Sequence, residues 1–226
     1  VQRCFVMYGY VMEGGRASLT MRQIGGVWFA VAVLPRSGFL AAYRRGRLLR
    51  RLRRQGIVRC VLPSSLTAEA ERYGLHGVAV EGLRLALLPQ LLDMQGDLRR
   101  KTAVLRAEYV SPAVYRAAAV LAGRVRYLAL EVERGGEELA RQLRQRFGLC
   151  TGRVGEPAVT VSFSGMPQGE VICLGQDCQR FQQIAYALPE GLLEPWPASE
   201  QLLAVLFEAG EIKKEQIRVK TIAPNA

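Results

Sequence analysis

Histidine occurs once in this 226-residue chain, lysine four times, and acidic residues not at all between Gly14 and Ala68. Each scarcity removes a class of function. A single histidine, His76, leaves no histidine pair to hold a metal and no H-E-x-x-H helix. The phosphate loop G-x-x-x-x-G-K-[ST] and the nucleophile elbow G-x-S-x-G are missing too. His76 stands in Tyr73-Gly74-Leu75-His76-Gly77, a turn, and its use as a general base would need a partner that no spacing nominates. The one long apolar run, residues 27–34, falls well short of the roughly 20 residues of a membrane-spanning helix, so no transmembrane segment is expected. Five cysteines at Cys4, Cys60, Cys150, Cys173 and Cys178 are an odd, scattered set and not a disulfide framework, which fits a reducing cytoplasm. Cys173 and Cys178 lack the second ligand pair that zinc requires, so no metal is expected.

What is abundant is arginine, and its placement is uneven. The net charge is +11, and eleven arginines fall between Gly14 and Ala68. Removing them from the 31 basic residues leaves 20 against 20 acidic ones, so the rest of the chain is neutral. Arginine in place of lysine is a chain-wide habit, but that habit does not explain fifty-odd residues without an acid. With half its residues apolar, the chain can bury a large core.

The pattern along the chain alternates strand and helix. Residues 1–26 are assigned to an N-terminal extension or edge strand. Met21-Arg22 followed by residues 24–34 has the charge-then-apolar order of a secretion signal, yet no small-residue cleavage site follows and the next segment is strongly basic. Residues 27–34 are the first firm strand, and Pro35-Arg36-Ser37-Gly38 leads into a helix ending near Gln55. On that helix Ala41, Leu48, Leu49 and Leu52 form a stripe opposite Arg44, Arg47, Arg50, Arg51 and Arg54, with Arg45 at the stripe's edge. Strands at 57–62 and 77–80 follow, then a leucine-rich helix over 82–94 that Pro89 should kink. Residues 102–107 and 125–132 are strands. Between them Ser111-Pro112 opens a helix that Gly123 closes. Gly135-Gly136 opens another, with Glu137 and Glu138 at its positive end, Arg144 and Arg146 in its last turn and Gly148 as its stop. Residues 158–164 and 170–174 flank a turn cluster and are expected to form an antiparallel C-terminal hairpin. Ser199 caps a last helix to Gly210, and a short strand is expected over 217–222.

This rhythm predicts an α/β fold: a Rossmann-like, mostly parallel sheet with helices on both faces. The division is a single α/β domain over 27–226, comprising a basic first half (27–100), a Rossmann-like half (101–165), and a hairpin, loop and helix (166–226). Six strands near 27, 58, 77, 102, 125 and 158 are expected side by side in one layer.

Residues 102–165, above all Val125-Arg126-Tyr127-Leu128-Ala129-Leu130, Gly136-Glu137-Glu138-Leu139-Ala140 and Phe147-Gly148, resemble the NAD(P)-binding domain of shikimate dehydrogenase and glutamyl-tRNA reductase. The resemblance implies a G-x-G-x-x-G turn after the first strand, where glycines let a pyrophosphate approach the backbone. That position holds Arg106-Ala107-Glu108-Tyr109-Val110-Ser111, without glycine. Glu131 or Glu133 falls where an acidic ribose-binding residue would sit.

Parallel sheets bind ligands at the carboxyl ends of their strands, which nominates four loops: Pro35-Arg36-Ser37-Gly38, Pro63-Ser64-Ser65, Glu133-Arg134-Gly135-Gly136 and Phe163-Ser164-Gly165. Arg36, Ser37, Gly38, Arg134, Gly135 and Gly136 are the candidate anion-binding residues. Arg44, Arg47, Arg50, Arg51 and Arg54 form a basic face for an anionic ligand or acidic partner; nucleic acid has less support, because only Phe39 and Tyr43 offer rings for stacking. No catalytic residue, metal or cofactor is nominated. The reading is therefore a bacterial cytoplasmic, non-catalytic binding module for an anion. The competing readings are a nucleotide-binding, oxidoreductase-like enzyme using Arg36, Ser37, Glu131 and Arg134, and a structural subunit that forms a homo-oligomer through its leucine-rich helix.

Overall fold

A computed structural model describes residues 8–152, 156–164, 171–175, 182–189 and 191–224. In chain order the elements are β1 (Tyr8–Gly14), β2 (Ser18–Ile24), β3 (Val27–Pro35), α1 (Ala41–Arg54), β4 (Arg59–Val61), α2 (Thr67–Glu71), β5 (His76–Gly77) and α3 (Glu81–Asp93). They continue with β6 (Thr102–Tyr109), α4 (Pro112–Ala122), β7 (Tyr127–Arg134), α5 (Gly136–Phe147), β8 (Cys150–Thr151), β9 (Val159–Ser162), β10 (Val171–Cys173), β11 (Gln182–Ala187), α6 (Glu200–Glu208) and β12 (Arg218–Pro224). Contacts divide the chain into two compact units, Val1–Ala79 with Pro189–Lys213, and Val80–Leu188 with Lys214–Ala226. The six strands expected in one layer are therefore shared between two five-stranded sheets. Strand and helix alternation reports the class of each element and carries no information about which strand it pairs with.

The first unit's sheet runs in the order β2-β3-β1-β4-β5, with β3, β1, β4 and β5 parallel and β2 antiparallel at the edge. Tyr8–Gly14, expected as an extension or edge, is the central strand, with Tyr8↔Phe29 pairing on one side and Gly9↔Cys60 on the other. Met21-Arg22, which has the charge order of a secretion signal, lies within β2, opposite Ala30 and Phe29. Gly25 and Gly26, with φ of 53° and 89°, make the tight turn from β2 into β3, where consecutive positive φ values match the twist of a hairpin. In β3 the run Phe29 to Ala32 is buried on both faces, as its β-branched and aromatic composition requires. Helix α1 seats Leu49 and Leu52, both fully buried, against Ala30, Ala32 and Leu34.

The second unit's sheet has the order β10-β9-β6-β7-β8, every pair parallel. Counting its strands along the chain, this is 3-2-1-4-5, the first five strands of the doubly wound Rossmann order 3-2-1-4-5-6. Residues 102–107 and 127–132 are adjacent, as expected. Ser111 Oγ accepts the Val114 N–H at 3.2 Å, with Pro112 at the first helical position, so α4 begins where its cap dictates. Gly148, at φ 62°, ends α5 by donating its N–H to Arg144 O. Leu88, Leu91, Leu105, Leu121, Leu128 and Leu143 are core residues here. Helix α3 runs unbroken through Pro89. Its Leu83, Leu87, Leu88, Leu91 and Leu92 are buried in this chain's own core, which leaves few leucines for a homo-oligomer contact.

The expected hairpin between residues 158–164 and 170–174 is corrected: β9 and β10 are parallel neighbours, Val161↔Ile172. The C-terminal antiparallel pair is instead β11 with β12, Ile184↔Ile222. Composition marks a turn but not the direction in which the next strand runs; residues 165–169, the turn cluster, lie outside the described residues.

Candidate functional site

In doubly wound sheets a ligand sits beyond the carboxyl ends of the strands, at the point where the strand order reverses. In the second unit that point lies between β6 and β9. A cleft of about 550 Å³ opens beside it, lined by Arg106, Glu108, Glu131, Glu133 and Ser164. Arg106 spans it from β6 to β7, its Nη2 and Nε donating to Glu131 Oε2 at 2.7 and 2.9 Å. Glu131, placed by resemblance at a ribose, is thus an arginine's partner. Beyond the cleft β6 stays extended through Tyr109, Val110 donates its N–H to Arg134 O at 3.2 Å, and the Ser111 hydroxyl is engaged as the α4 cap. No glycine lets a phosphate reach the backbone there, and three carboxylates face the space. The residues do not fit a dinucleotide pyrophosphate.

The loop Arg134-Gly135-Gly136 begins α5, with Gly135 at φ 83°. A cavity of about 710 Å³ beside it is lined by Glu133, Glu137, Glu138, Arg141 and Arg144 together with both glycines. The helix's positive end is already occupied by its own acids: Glu138 accepts from Arg141 and, at 2.8 Å, from Gln142 Nε2. Arg134 lies over the Tyr109 ring, 6.0 Å from its centre.

In the first unit, Arg36 and Ser37 line a cavity of about 450 Å³ with Glu13, Gly14 and Gly15; Gly38 follows them, exposed at φ 122°. The loop precedes α1, which begins at Ala41 after Phe39 and Leu40, and Gly38 O accepts the Ala41 N–H at 3.0 Å. Arg36 Nε stands 3.7 Å from Glu13. Arg45, which the helical plot places awkwardly at the apolar edge, has a task here. Its Nε donates to Pro35 O at 2.8 Å, Nη2 to Arg36 O at 3.2 Å, and Nη1 to Glu69 at 3.2 Å, with Glu13 at 3.8 Å. It ties the strand end to the helix.

The remaining arginines of α1 behave differently. Arg44, Arg47, Arg51, Arg53 and Arg54 are exposed, and among the described residues none pairs with a carboxylate. Arg50, also exposed, lies over the Tyr73 ring at 5.8 Å and donates Nε to Gly46 O at 3.2 Å. Phe39, Leu40 and Tyr43 are exposed at the same end of the helix.

His76 is exposed at the start of β5, where it pairs with Arg59 of β4 and its backbone N–H donates to Val58 O at 2.7 Å. Among the described residues no group of three His, Cys, Asp or Glu could hold a metal. Cys173 is buried, and Cys178 lies outside the described residues. Burial pushes the Cys60 thiol up to about 12. Two arrangements escaped the sequence. Tyr8 Oη and Arg59 Nη2 both donate to Glu208, at 3.1 and 2.9 Å, and burial, then Glu208, raise the tyrosine's pKa. Arg84, 1% exposed on the apolar helix α3, donates Nη1 to Cys173 O at 2.6 Å. Neither had a local signal: the partners lie 200, 149 and 89 residues apart.

No protein-family model and no curated protein sequence matches the chain. Among solved structures it is similar to a shikimate dehydrogenase in complex with NADP+, at 13% identity and TM-score 0.29, over 70% of this chain and 66% of that one. It is also similar to L-tryptophan dehydrogenase from Nostoc punctiforme, at 11% identity and TM-score 0.28, over 64% of this chain and 46% of that one. The chain thus spans less than two thirds of the length of either. The strand order, not these alignments, defines the second unit's fold. No helix among the described residues is long and apolar enough to cross a membrane.

Proposed function

We propose that this chain is a binding module for a polyanion and that the exposed face of α1 is its contact surface. The observation that carries this reading is the unpartnered arginine row. Like charges three and four residues apart on a helix repel, and this helix holds six such pairs: 44/47, 47/50, 47/51, 50/53, 50/54 and 51/54. At about 0.2–0.5 kcal/mol each, they cost on the order of 1–3 kcal/mol at low salt. A face needed only for solvation would relieve that cost with interspersed acids, as α5 does with Glu138 and Arg141. A polyanion relieves it by neutralisation and gains counterion release. The test is retention on heparin as salt is raised. Changing Arg44, Arg47, Arg51 and Arg54 to glutamine should bring elution to markedly lower salt; unchanged elution refutes the reading.

A second reading, a small ligand in the β6–β9 crevice, is favoured by the 3-2-1-4-5 strand order alone. Because Glu108, Glu131 and Glu133 surround that space, the ligand would not be an NAD(P)-type dinucleotide, and NAD+ or NADP+ should leave the melting temperature unchanged. A ligand at a hundred times its Kd adds roughly 2.7 kcal/mol, so a shift of several degrees would reinstate the dinucleotide.

A further inference from the structure

We infer that the polyanion is a lipid surface: α1 docks on an anionic bilayer, with Phe39, Leu40 and Tyr43 entering the interfacial layer and the arginines lying along the headgroups. The inference rests on the polyanion reading and adds what the arginines alone leave open, the class of partner. Phe39 is 102% exposed, Leu40 47% and Tyr43 61%. Three contiguous or near-contiguous large apolar side chains projecting from one turn are costly in water and unexplained by this chain's own packing. At 100° per residue, Leu40 and Tyr43 fall in one sector of about 80° with Arg47, Arg50 and Arg54, opposite buried Leu49 and Leu52. The outward face therefore has an apolar end and a cationic shaft. A helix of 14 residues is about 21 Å long, enough for several headgroup contacts in a row.

An amphipathic interfacial contact needs both components: apolar groups seated at the headgroup–acyl boundary, and cations attracted to anionic lipid. Tyrosine suits that boundary, with its ring in the apolar layer and its hydroxyl in the wet one. A duplex held only through its phosphates would use the arginines equally but would leave the protruding leucine and phenylalanine in water. Arg36, exposed on the adjoining loop, is offset by Glu13 at 3.7 Å, so the cationic surface is that of α1. Among the described residues the segment from Gly14 to Ala68 offers no carboxylate to repel the surface.

The experiment is flotation of the full chain with vesicles of phosphatidylcholine and phosphatidylglycerol in equal parts, against vesicles of phosphatidylcholine alone, with heparin retention and duplex DNA binding measured in parallel. The chain should float with the mixed vesicles only. The triple variant F39S/L40S/Y43S, altered only at exposed positions, should lose about tenfold or more in vesicle affinity while its heparin retention is unchanged. Each arginine changed to glutamine should cost about fivefold. In the variant Y43W, the added indole's emission should shift to the blue with mixed vesicles and not with heparin. Failure to bind heparin, DNA and vesicles alike would defeat the polyanion reading and this inference with it. Heparin or DNA binding without flotation, or flotation that the serine variant retains in full, would overturn the lipid assignment and leave the polyanion reading standing.

Discussion

Replacing Gly9 by alanine should destabilise the first unit, and the size of the loss follows from the seating of β1 against β4. Gly9 faces Cys60 in the parallel register, and a Cβ built at Gly9 would overlap Cys60 Sγ and stand 3.3 Å from both Cys60 Cβ and Ile57 Cγ2. Cys60 and Ile57 are fully buried, so neither has solvent to move into. The backbone of Gly9 is not at positive φ, so space alone decides the outcome. Overpacking of this kind costs about 1–3 kcal/mol, against at most about 1 kcal/mol gained from alanine's better strand propensity. A net loss of about 1–2 kcal/mol corresponds to a fall of roughly 0.5–1 M in the urea midpoint. The assay is convenient because both tryptophans, Trp28 and Trp196, belong to this unit and report its unfolding. Cys60→Ala removes the obstructing sulfur, so the double variant should recover most of the loss, with a coupling of about 1–3 kcal/mol. Strictly additive losses, or a Gly9→Ala variant as stable as the parent, would refute the placement of residues 8–14 at the centre of the sheet.

Other consequences can be checked as simply. Because the α1 arginines repel one another, changing Arg44, Arg47, Arg51 and Arg54 to glutamine should raise stability by about 1–2 kcal/mol at low salt even as binding is lost, and added salt should erase the gain. Thiol alkylation near pH 8 followed by peptide mass spectrometry should label exposed Cys150 quickly and leave Cys60 untouched until unfolding, since a thiol held near 12 is only about one part in ten thousand thiolate. Burial raises the Glu81 carboxyl above its ordinary value, so it contributes stability in acid that fades as pH rises through and above about 4.5. Glu81→Gln should therefore gain in melting temperature on the parent between pH 4 and pH 7; a difference that stays flat or shrinks would contradict this.

The second unit was largely legible because its signals are local. Ser111-Pro112, the acidic first turn of α5 and Gly148 each act within one helical turn, and each boundary falls where that chemistry puts it, as does the Ser199 cap of α6 in the first unit. The apolar stripe of α1 was legible for the same reason. What escaped depends on distant partners. The central position of β1 is set by Phe29 on one side and Cys60 on the other, and nothing in Tyr8–Gly14 names either. The division into two sheets and the parallel direction of β10 are likewise pairings, not propensities. Arg45 looked misplaced on the helix until its partners Pro35, Arg36 and Glu69 came together around it. The candidate loops do lie at strand ends, but the carboxylate beside Arg36 comes from β1, and those lining the cavity at Gly135-Gly136 come from β7 and the following helix.

The central claim is that location, not total charge, makes this protein bind a polyanion. Two variants with the same net charge decide it: one with Arg44, Arg47, Arg51 and Arg54 changed to glutamine, the other with the equally exposed Arg99, Arg100, Arg116 and Arg144 changed. Elution from heparin should move to much lower salt for the α1 variant and hardly at all for the second. Equal displacement of the two would show that the α1 face has no special role.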